Sequence, residues 1–122
     1  KYKILLPVND SEGSDMAIET AINFAKSYKL NVEIVSVPDG KKSIEEVKTI
    51  LNKTKEKFSK NRIKTTTKLI DGSAVNSIVN YAKDDSIVIL GVSPKNLIMK
   101  YFFGSKPLSI AQKCNCPVLI TK

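Results

Sequence analysis

Apolar positions along the chain follow two periods, which predict five strands and four helices. Short apolar runs bounded by turn residues predict strands at residues 2–8, 31–37, 64–70, 86–90 and 117–121. Apolar residues spaced three or four positions apart predict helices at residues 11–28, after Ser43, after Ser73 and at 105–113. Strict β–α alternation is typical of an open parallel sheet with helices on both faces, so the predicted fold class is Rossmann-like α/β.

Two segments predict where the second helix begins and where the third strand lies in the sheet. Ser43 and Glu46 have the spacing of a capping box, which predicts the start of the second helix. The third strand is rich in threonine, which favours a partly exposed position near a sheet edge. The predicted buried stripe of the second helix consists of Ile44, Val47, Leu51, Thr54 and Phe58.

The loop after the fourth predicted strand contains the parts of an anion site. Gly91 follows the apolar run of that strand, and Gly104 and Ser105 precede the last predicted helix. Glycine lets a backbone approach a ligand closely, and the first turn of a helix offers unpaired N–H groups. Ligands of open parallel sheets bind beyond the C-terminal strand ends, where the strand order reverses. We therefore expect the site at residues 7–9 and 90–91.

Composition limits the classes of function. The chain has 122 residues, 42% hydrophobic and 26% charged, which is typical of one globular domain. It contains no histidine, so imidazole metal ligation and Ser-His or Cys-His catalysis are excluded. The net charge is +8, but the lysines are scattered and not interleaved with aromatic residues. We therefore expect no nucleic-acid partner.

The two cysteines, Cys114 and Cys116, indicate a reducing environment. Their spacing is too tight for an ordinary structural disulfide, and no second pair completes a zinc site. No segment has the pattern of a signal peptide or a membrane span. We expect a cytoplasmic setting, with Cys116 in core packing. Because the chain begins at Lys1, we expect either a processed protein or one domain of a longer chain, such as the cytoplasmic part of a membrane protein.

Three stretches of the chain resemble a known family. The segments ILLPVNDSEGSDMAIETAINFA, DGSAVNSIVNYAKDDSIVILG and GSKPLSIAQKCNCPVLITK together are similar to a universal stress protein domain, over nearly the whole chain. The resemblance implies a five-stranded parallel sheet of order 3-2-1-4-5 with four helices, the adenine nucleotide alpha-hydrolase-like arrangement. It also implies a Gly-x2-Gly-x9-Gly-Ser/Thr motif after the fourth strand and an Asp-x-Ser motif after the first, as in ATP-binding members.

The spacing of these motifs is kept, but three positions differ. Pro94 stands where the family has its middle glycine, and it has no N–H to donate. Asn9 replaces the aspartate that lies by the ribose in nucleotide-bound members, so a hydrogen-bonding group stays but the charge is lost. Pro107 removes a potential phosphate donor in the first turn of the last helix, while Lys106 adds a positive charge.

The resemblance implies an adenine-nucleotide binding module with a signalling or regulatory role, and a site weakened but not erased by these changes. Its ligand would be ATP, with magnesium. We expect no efficient enzyme, because no general base lies near the expected phosphates, although slow ATP hydrolysis stays open. The implied nucleotide-binding residues are Pro7, Val8, Asn9, Val37, Leu90, Gly91, Pro94, Gly104, Ser105 and Lys106.

Two surfaces are candidates for protein contacts. The last strand, Pro117 to Thr121, is expected at a sheet edge, where universal stress domains commonly form homodimers. The apolar loop Leu97 to Phe103 is either a cover over the end of the sheet or a surface for a partner. The alternative function is a degenerate regulatory or dimerisation domain that binds no nucleotide, as part of a transporter or sensor. An anionic surface or nucleic acid, drawn by the net charge, is the third hypothesis.

Overall fold

The computed structural model describes residues 2–8, 12–36, 42–70, 74–91 and 113–121, without the side chains of residues 12–14 and 74–75. Most of the fourth predicted helix lies outside these residues. Within them, the elements in chain order are β1 (Lys3–Pro7), α1 (Glu12–Tyr28), β2 (Val32–Ser36), α2 (Ile44–Lys60), β3 (Thr65–Leu69), α3 (Ala74–Tyr81), β4 (Ser86–Gly91) and β5 (Val118–Thr121).

The five strands form one parallel sheet in the order β3-β2-β1-β4-β5. This confirms the predicted fold class and strand order. The chain builds outward from β1 to β3, then crosses to β4 on the other side of β1. The point at which the strand order reverses therefore lies between β1 and β4. In β3 the side chains of Thr66 and Lys68 are exposed, as expected for an edge strand.

Alternate residues of the central strands pack into two separate cores. In β1, Ile4 and Leu6 face the core beneath α1 and α2, whereas Leu5 faces the core on the α3 side. All three are fully buried, because helices cover both faces of the sheet. This explains why the strand is a continuous apolar run and does not alternate with polar residues.

The second helix begins as predicted. Ser43 Oγ accepts a hydrogen bond from the Glu46 backbone N–H, and the Glu46 carboxylate accepts one from the Ser43 N–H. This capping box gives a hydrogen-bond acceptor to two backbone N–H groups at the start of the helix. Val47, Leu51, Thr54 and Phe58 are buried as predicted, but Ile44 is 53% exposed, so its place in the stripe was wrong. Ile44 is the first residue of α2, and periodicity alone does not show that its side chain lies outside the core.

The first two helices end in the same way, on a basic residue with left-handed backbone. Lys29 has φ 54° and Arg62 has φ 60°. In each case the next N–H bonds back to a helix carbonyl, from Leu30 to Ala25 and from Ile63 to Phe58, which is the Schellman arrangement. A left-handed non-glycine residue costs about 1–2 kcal/mol. Glycine is the residue usually found in this conformation, but both helices have a basic residue there.

A polar network crosses the sheet beneath α3. Glu33 of β2 lies among buried neighbours, and its side chain is only 14% exposed. One carboxylate oxygen accepts from Lys3 Nζ at 3.0 Å, and the other accepts from the Tyr81 hydroxyl at 2.6 Å. The network therefore joins β1, β2 and the last turn of α3.

None of the helices in the described part of the chain is long and apolar enough to span a bilayer.

Candidate functional site

The strands β1 and β4 separate before they end. Their pairing runs from Lys3 opposite Ser86 to Leu5 opposite Val88 and stops there. On the outer sides pairing continues further, to Pro7 opposite Val35 and to Gly91 opposite Thr121. The last residues of β1 and β4 are thus held by their other neighbours and leave a crevice between them. This crevice is at the reversal point of the sheet, where open parallel folds bind ligands.

The end of β1 is fixed to β2 by side-chain and backbone hydrogen bonds. The Val8 N–H donates to the Val35 carbonyl at 2.9 Å, and the Ser36 hydroxyl donates to the Val8 carbonyl at 3.0 Å. Both Val8 and Ser36 are buried. These two hydrogen bonds therefore fix the backbone of Val8 directly after β1.

The end of β4 is fixed in a similar way to β5. The Thr121 hydroxyl donates to the Leu90 carbonyl at 3.2 Å, and Gly91 lies opposite Thr121 in the register. Leu90 is buried in the core on the α3 side, while Gly91, the last residue of β4, is half-buried. Since Gly91 has no Cβ, a ligand can approach the backbone here closely.

Four of the predicted site residues lie together in the described part of the fold. Pro7 is the last residue of β1 and Val8 follows it, whereas Leu90 and Gly91 end β4 on the other side of the crevice. The other predicted site residues lie outside the described residues; they are Asn9, Val37, Pro94, Gly104, Ser105 and Lys106. Pro107 and the loop Leu97 to Phe103 also lie outside the described residues.

Sequence reasoning missed two residues that shape the site. Ser36 and Thr121 do not line the crevice by themselves, but their hydroxyls hold the Val8 and Leu90 carbonyls. The available signal was a hydroxyl residue at the last position of a largely apolar strand, in VEIVS and VLIT. A hydroxyl at that position can bond a neighbouring strand's carbonyl where the ladder ends.

We expect Ser36→Ala to lower the free energy of unfolding by about 1–2 kcal/mol, because the buried Val8 carbonyl loses its side-chain donor. Urea denaturation measures the change. The matched control is Ser59→Ala, which removes the same hydroxyl from an exposed position on α2. A control variant as destabilised as Ser36→Ala would show that the hydrogen bond is not the cause.

Two other features differ from this crevice in chemistry. Cys114 and Cys116 are free thiols, and burial, followed by the neighbouring Cys116, raises the pKa of Cys114 to about 11. A thiol with such a pKa is protonated and inert at neutral pH. Among the described residues no three Cys, Asp or Glu side chains cluster as metal ligands.

A surface cleft of about 300 Å³ lies between α1 and α2. Its lining mixes charges, with Asp15 and Glu46 beside Lys42, Lys53 and Lys57, and it contains none of the strand-end residues. The Glu46 carboxylate is already used by the capping box. Because its charges are mixed and it lies on a helical face, we place the candidate site at the crevice and not here.

Comparison with known proteins points to one family. The sequence matches the universal stress protein family over residues 2–122. A curated relative, universal stress protein MJ0531 of Methanocaldococcus jannaschii, is 26% identical in an alignment that covers 98% of this chain and 81% of the relative. These matches confirm the resemblance drawn from the three sequence segments.

Solved structures share the fold over nearly the whole chain. The hypothetical protein MJ0577 has a TM-score of 0.84 at 25% identity, covering 99% of this chain and 96% of that one. A universal stress protein in complex with cAMP has a TM-score of 0.77 at 17% identity, covering 99% and 97%. The Archaeoglobus fulgidus universal stress protein in complex with dAMP has a TM-score of 0.74 at 18% identity, covering 100% and 98%.

Proposed function

Because the chain belongs to the universal stress protein family, we propose that it binds an adenine nucleotide in the crevice between the ends of β1 and β4. The observation that carries the proposal is the early separation of these two strands, after Leu5 and Val88. It leaves a cradle at the reversal point with a glycine at its rim. The cAMP and dAMP complexes of proteins with this fold support an adenosine phosphate as the ligand class.

The described residues fit the base and ribose end of such a ligand. Pro7 is half-buried and offers apolar surface for an adenine ring, and Gly91 lets the ligand approach the backbone, while the buried Val8 and Leu90 fix the backbone on the two sides of the crevice. Recognition would then rest on shape and backbone polar groups, with Asn9 and the backbone of Val37 as further partners. Gly104, Ser105 and Lys106 would hold the phosphates through N–H groups and one lysine charge. ATP with magnesium is the ligand that the motif spacing favours.

The role we propose is binding without efficient catalysis. The phosphates of a bound nucleotide would contact the loop between Gly91 and Ser105 and change the surface shown to a partner, which would make the chain a signalling or regulatory module. Phosphoryl transfer requires a positioned base and a metal, and Asn9 removes the carboxylate that the motif would place nearest. We propose that this module works in the cytoplasm.

The direct test is to denature freshly purified protein and analyse the released small molecules by chromatography and mass spectrometry. We expect an adenine nucleotide, or a thermal shift when AMP, cAMP or ATP with magnesium is added to nucleotide-free protein. No released nucleotide and no shift at millimolar concentrations would contradict the proposal. The degenerate regulatory or dimerisation domain would then be the better function.

We expect Pro94→Gly to tighten nucleotide binding about 3–10-fold, because glycine restores an N–H donor at the middle position of the motif. Isothermal titration with AMP and with ATP measures the change. Pro117→Gly is the matched control, since it makes the same substitution just before β5, at the end of the strands away from the crevice. If Pro94→Gly leaves the affinity unchanged, the proline does not weaken the site.

We propose a homodimer that pairs β5 strands. The strand β5 is an edge of the sheet, and Leu119 in its centre is 38% exposed. An apolar edge strand needs cover, and pairing with a second copy provides it. We expect Leu119→Lys to convert the dimer to a monomer in analytical ultracentrifugation while the fold is retained. A wild-type monomer at high micromolar concentration would contradict the proposal.

A further inference from the structure

Basic residues cluster at the end of the sheet opposite the crevice, where the strands begin. In a parallel sheet every helix returns the chain to the N-terminal strand ends, so the connections after α1, α2 and α3 share this edge. Hydrogen bonds to the strand starts anchor them there, from Ile4 N–H to the Asn31 carbonyl and from Val32 N–H to the Lys64 carbonyl. Six exposed cations lie in these connections or among the last three residues of the helices that precede them, and we call them the basic edge: Lys26, Lys29, Lys60, Arg62, Lys64 and Lys83.

Only two described acidic residues share this edge, Asp84 and Asp85, both in the turn after α3. The lysines are scattered along the sequence, which predicted no nucleic-acid partner, but folding brings six basic side chains to one end of the sheet. The sheet is about 20 Å wide at this edge, since neighbouring strands lie about 4.8 Å apart. That width matches several consecutive phosphates of a nucleic-acid strand.

The backbone gives a second and independent observation. The helix dipole explains cations in the last helical turns, such as Lys26 and Lys60. The dipole also favours a cation at Lys29 and Arg62, but both residues take left-handed positions where glycine fits without steric conflict. Both residues thus keep an exposed cation against the local backbone preference, and both point to a use for that charge at this edge.

Aromatic rings also lie at this edge. Tyr2 directly precedes β1 and is 50% exposed, and Tyr28, the last residue of α1, is 64% exposed. The ring of Tyr28 contacts Phe24 with centroids 4.7 Å apart, which supports it on one side. The other described large hydrophobic side chains that are exposed, Met16, Ile44 and Leu119, lie on other parts of the fold. No exposed aliphatic side chain among the described residues of this edge could enter a membrane.

We propose that the basic edge binds single-stranded nucleic acid. The six cations contact phosphates, and the rings of Tyr2 and Tyr28 offer faces on which unpaired bases stack. Cationic surfaces with exposed aromatic rings bind single strands in this way, with little sequence preference. The inference does not rest on the adenine-nucleotide site, which lies at the other end of the strands.

The test is fluorescence anisotropy of a labelled single-stranded oligonucleotide of about 20 nucleotides with the full chain. We expect a dissociation constant in the micromolar range at about 50 mM salt, and a logarithmic salt slope of about −0.7 for each phosphate contact. The same titration with phosphatidylserine vesicles tests an anionic lipid surface as the alternative.

The decisive variant is the double substitution Lys29→Gly with Arg62→Gly, which removes two cations and gives both helix ends their preferred residue. We expect the affinity to fall about 10-fold at about 50 mM salt and the slope to lose about 1.4. The thermal midpoint should be unchanged or higher, so misfolding does not confuse the result. The control, Lys48→Ala with Lys55→Ala, removes two exposed charges from the body of α2 and should change the affinity less than twofold.

A third variant separates stacking from charge. Tyr28→Ala should weaken binding about fivefold or more, whereas Tyr28→Phe keeps the ring and should bind like the wild type. No anisotropy change with protein at about 100 μM would overturn the proposal, since even non-specific binding reaches this range. Equal weakening by the glycine and the α2 variants would also overturn it, because net charge alone would explain the binding. Binding to vesicles without binding to the oligonucleotide would favour the lipid surface instead.

Discussion

Phe58→Ala is expected to lower the free energy of unfolding by about 3–5 kcal/mol, the largest effect of any substitution considered. Phe58 is among the largest fully buried side chains of the fold, with no exposed surface. It lies in the last turns of α2, in the core that α1 and α2 form with the sheet. Alanine would remove most of a ring from a close-packed interior, and the neighbours could fill the space only in part.

The loss should extend to the end of the helix. The Phe58 carbonyl accepts the Ile63 N–H that closes the Schellman turn, and the side chains of Phe58 and Ile63 belong to the same core. Urea denaturation followed by circular dichroism measures the change. Ile44→Ala is the control within the same helix, since Ile44 is 53% exposed and should change stability by about 0.5 kcal/mol or less. If the two variants lose equal stability, the account of this core is wrong.

Glu33→Ala is expected to lower the free energy of unfolding by about 2–3 kcal/mol. The substitution leaves the Tyr81 hydroxyl and the Lys3 ammonium without the carboxylate that both contact. The side chain of Lys3 is 40% exposed, so water compensates part of its loss. The Tyr81 hydroxyl bonds Glu33 of β2 at 2.6 Å, in addition to the apolar packing of α3 on the sheet, so the α3 side should loosen first. Hydrogen exchange of the α3 amides measures that local effect.

Glu33→Gln separates charge from shape, because glutamine can still accept a hydrogen bond from Tyr81. The hydrogen bond to Glu33, together with desolvation and the carboxylate charge, raises the pKa of Tyr81 to about 12. Glu33→Gln removes the charge and keeps an acceptor, so it should lower the pKa of Tyr81 only in part, whereas Glu33→Ala also removes the hydrogen bond and should bring the pKa closer to its ordinary value of 10.0. Absorbance of tyrosinate between about pH 9 and pH 12 follows the titration, with Tyr81→Phe to assign it. An unchanged titration in Glu33→Gln would contradict the assignment.

The raised pKa also sets the direction of the pH dependence. Between the unfolded pKa of 10.0 and the folded pKa of about 12, the unfolded chain releases the Tyr81 proton and the folded chain keeps it. The unfolded state then binds fewer protons, so the contribution to stability is complete below pH 10 and is lost as the pH rises toward 12. Tyr81→Phe should show a smaller loss of stability over this interval than the wild type.

The fold could be predicted from the sequence because each strand and helix has its own local sequence pattern. The apolar runs of β1 and β4, the helical stripe of α2 and its capping box all depend on neighbours within a few positions. Strict alternation of strands and helices then leaves few topologies, and the family resemblance supplied the strand order. Ile44 shows the limit of periodicity, since a position in phase with the core can still lie beyond it.

The polar contacts could not be predicted in the same way. Glu33 pairs with Lys3, which is 30 positions away, and with Tyr81, which is 48 positions away. Neither partner has a local signal, because both contacts exist only after β1, β2 and α3 have packed. The basic edge has the same origin, since its cations come from three separate connections that meet only in the folded sheet.

The candidate site could be predicted from the sequence only in part. Pro7, Val8, Leu90 and Gly91 were predicted from the rule that ligands bind where the strand order reverses, and the fold brings them to one crevice. The hydrogen bonds from the Ser36 and Thr121 hydroxyls to the Val8 and Leu90 carbonyls were not predicted, because the acceptors lie next to other strands in the fold. Their signal, a hydroxyl residue at the end of an apolar strand, is weak without the topology.

The measurement that tests the central claim most directly is a titration of isotope-labelled protein with AMP, followed by amide chemical shifts. The account predicts saturable shifts at the amides of Val8, Leu90 and Gly91, with little change at Lys29 and Arg62 on the opposite edge. Shifts confined to the cleft between α1 and α2, around Lys53, would place the ligand elsewhere. No shifts at millimolar AMP would contradict adenine-nucleotide binding at this crevice.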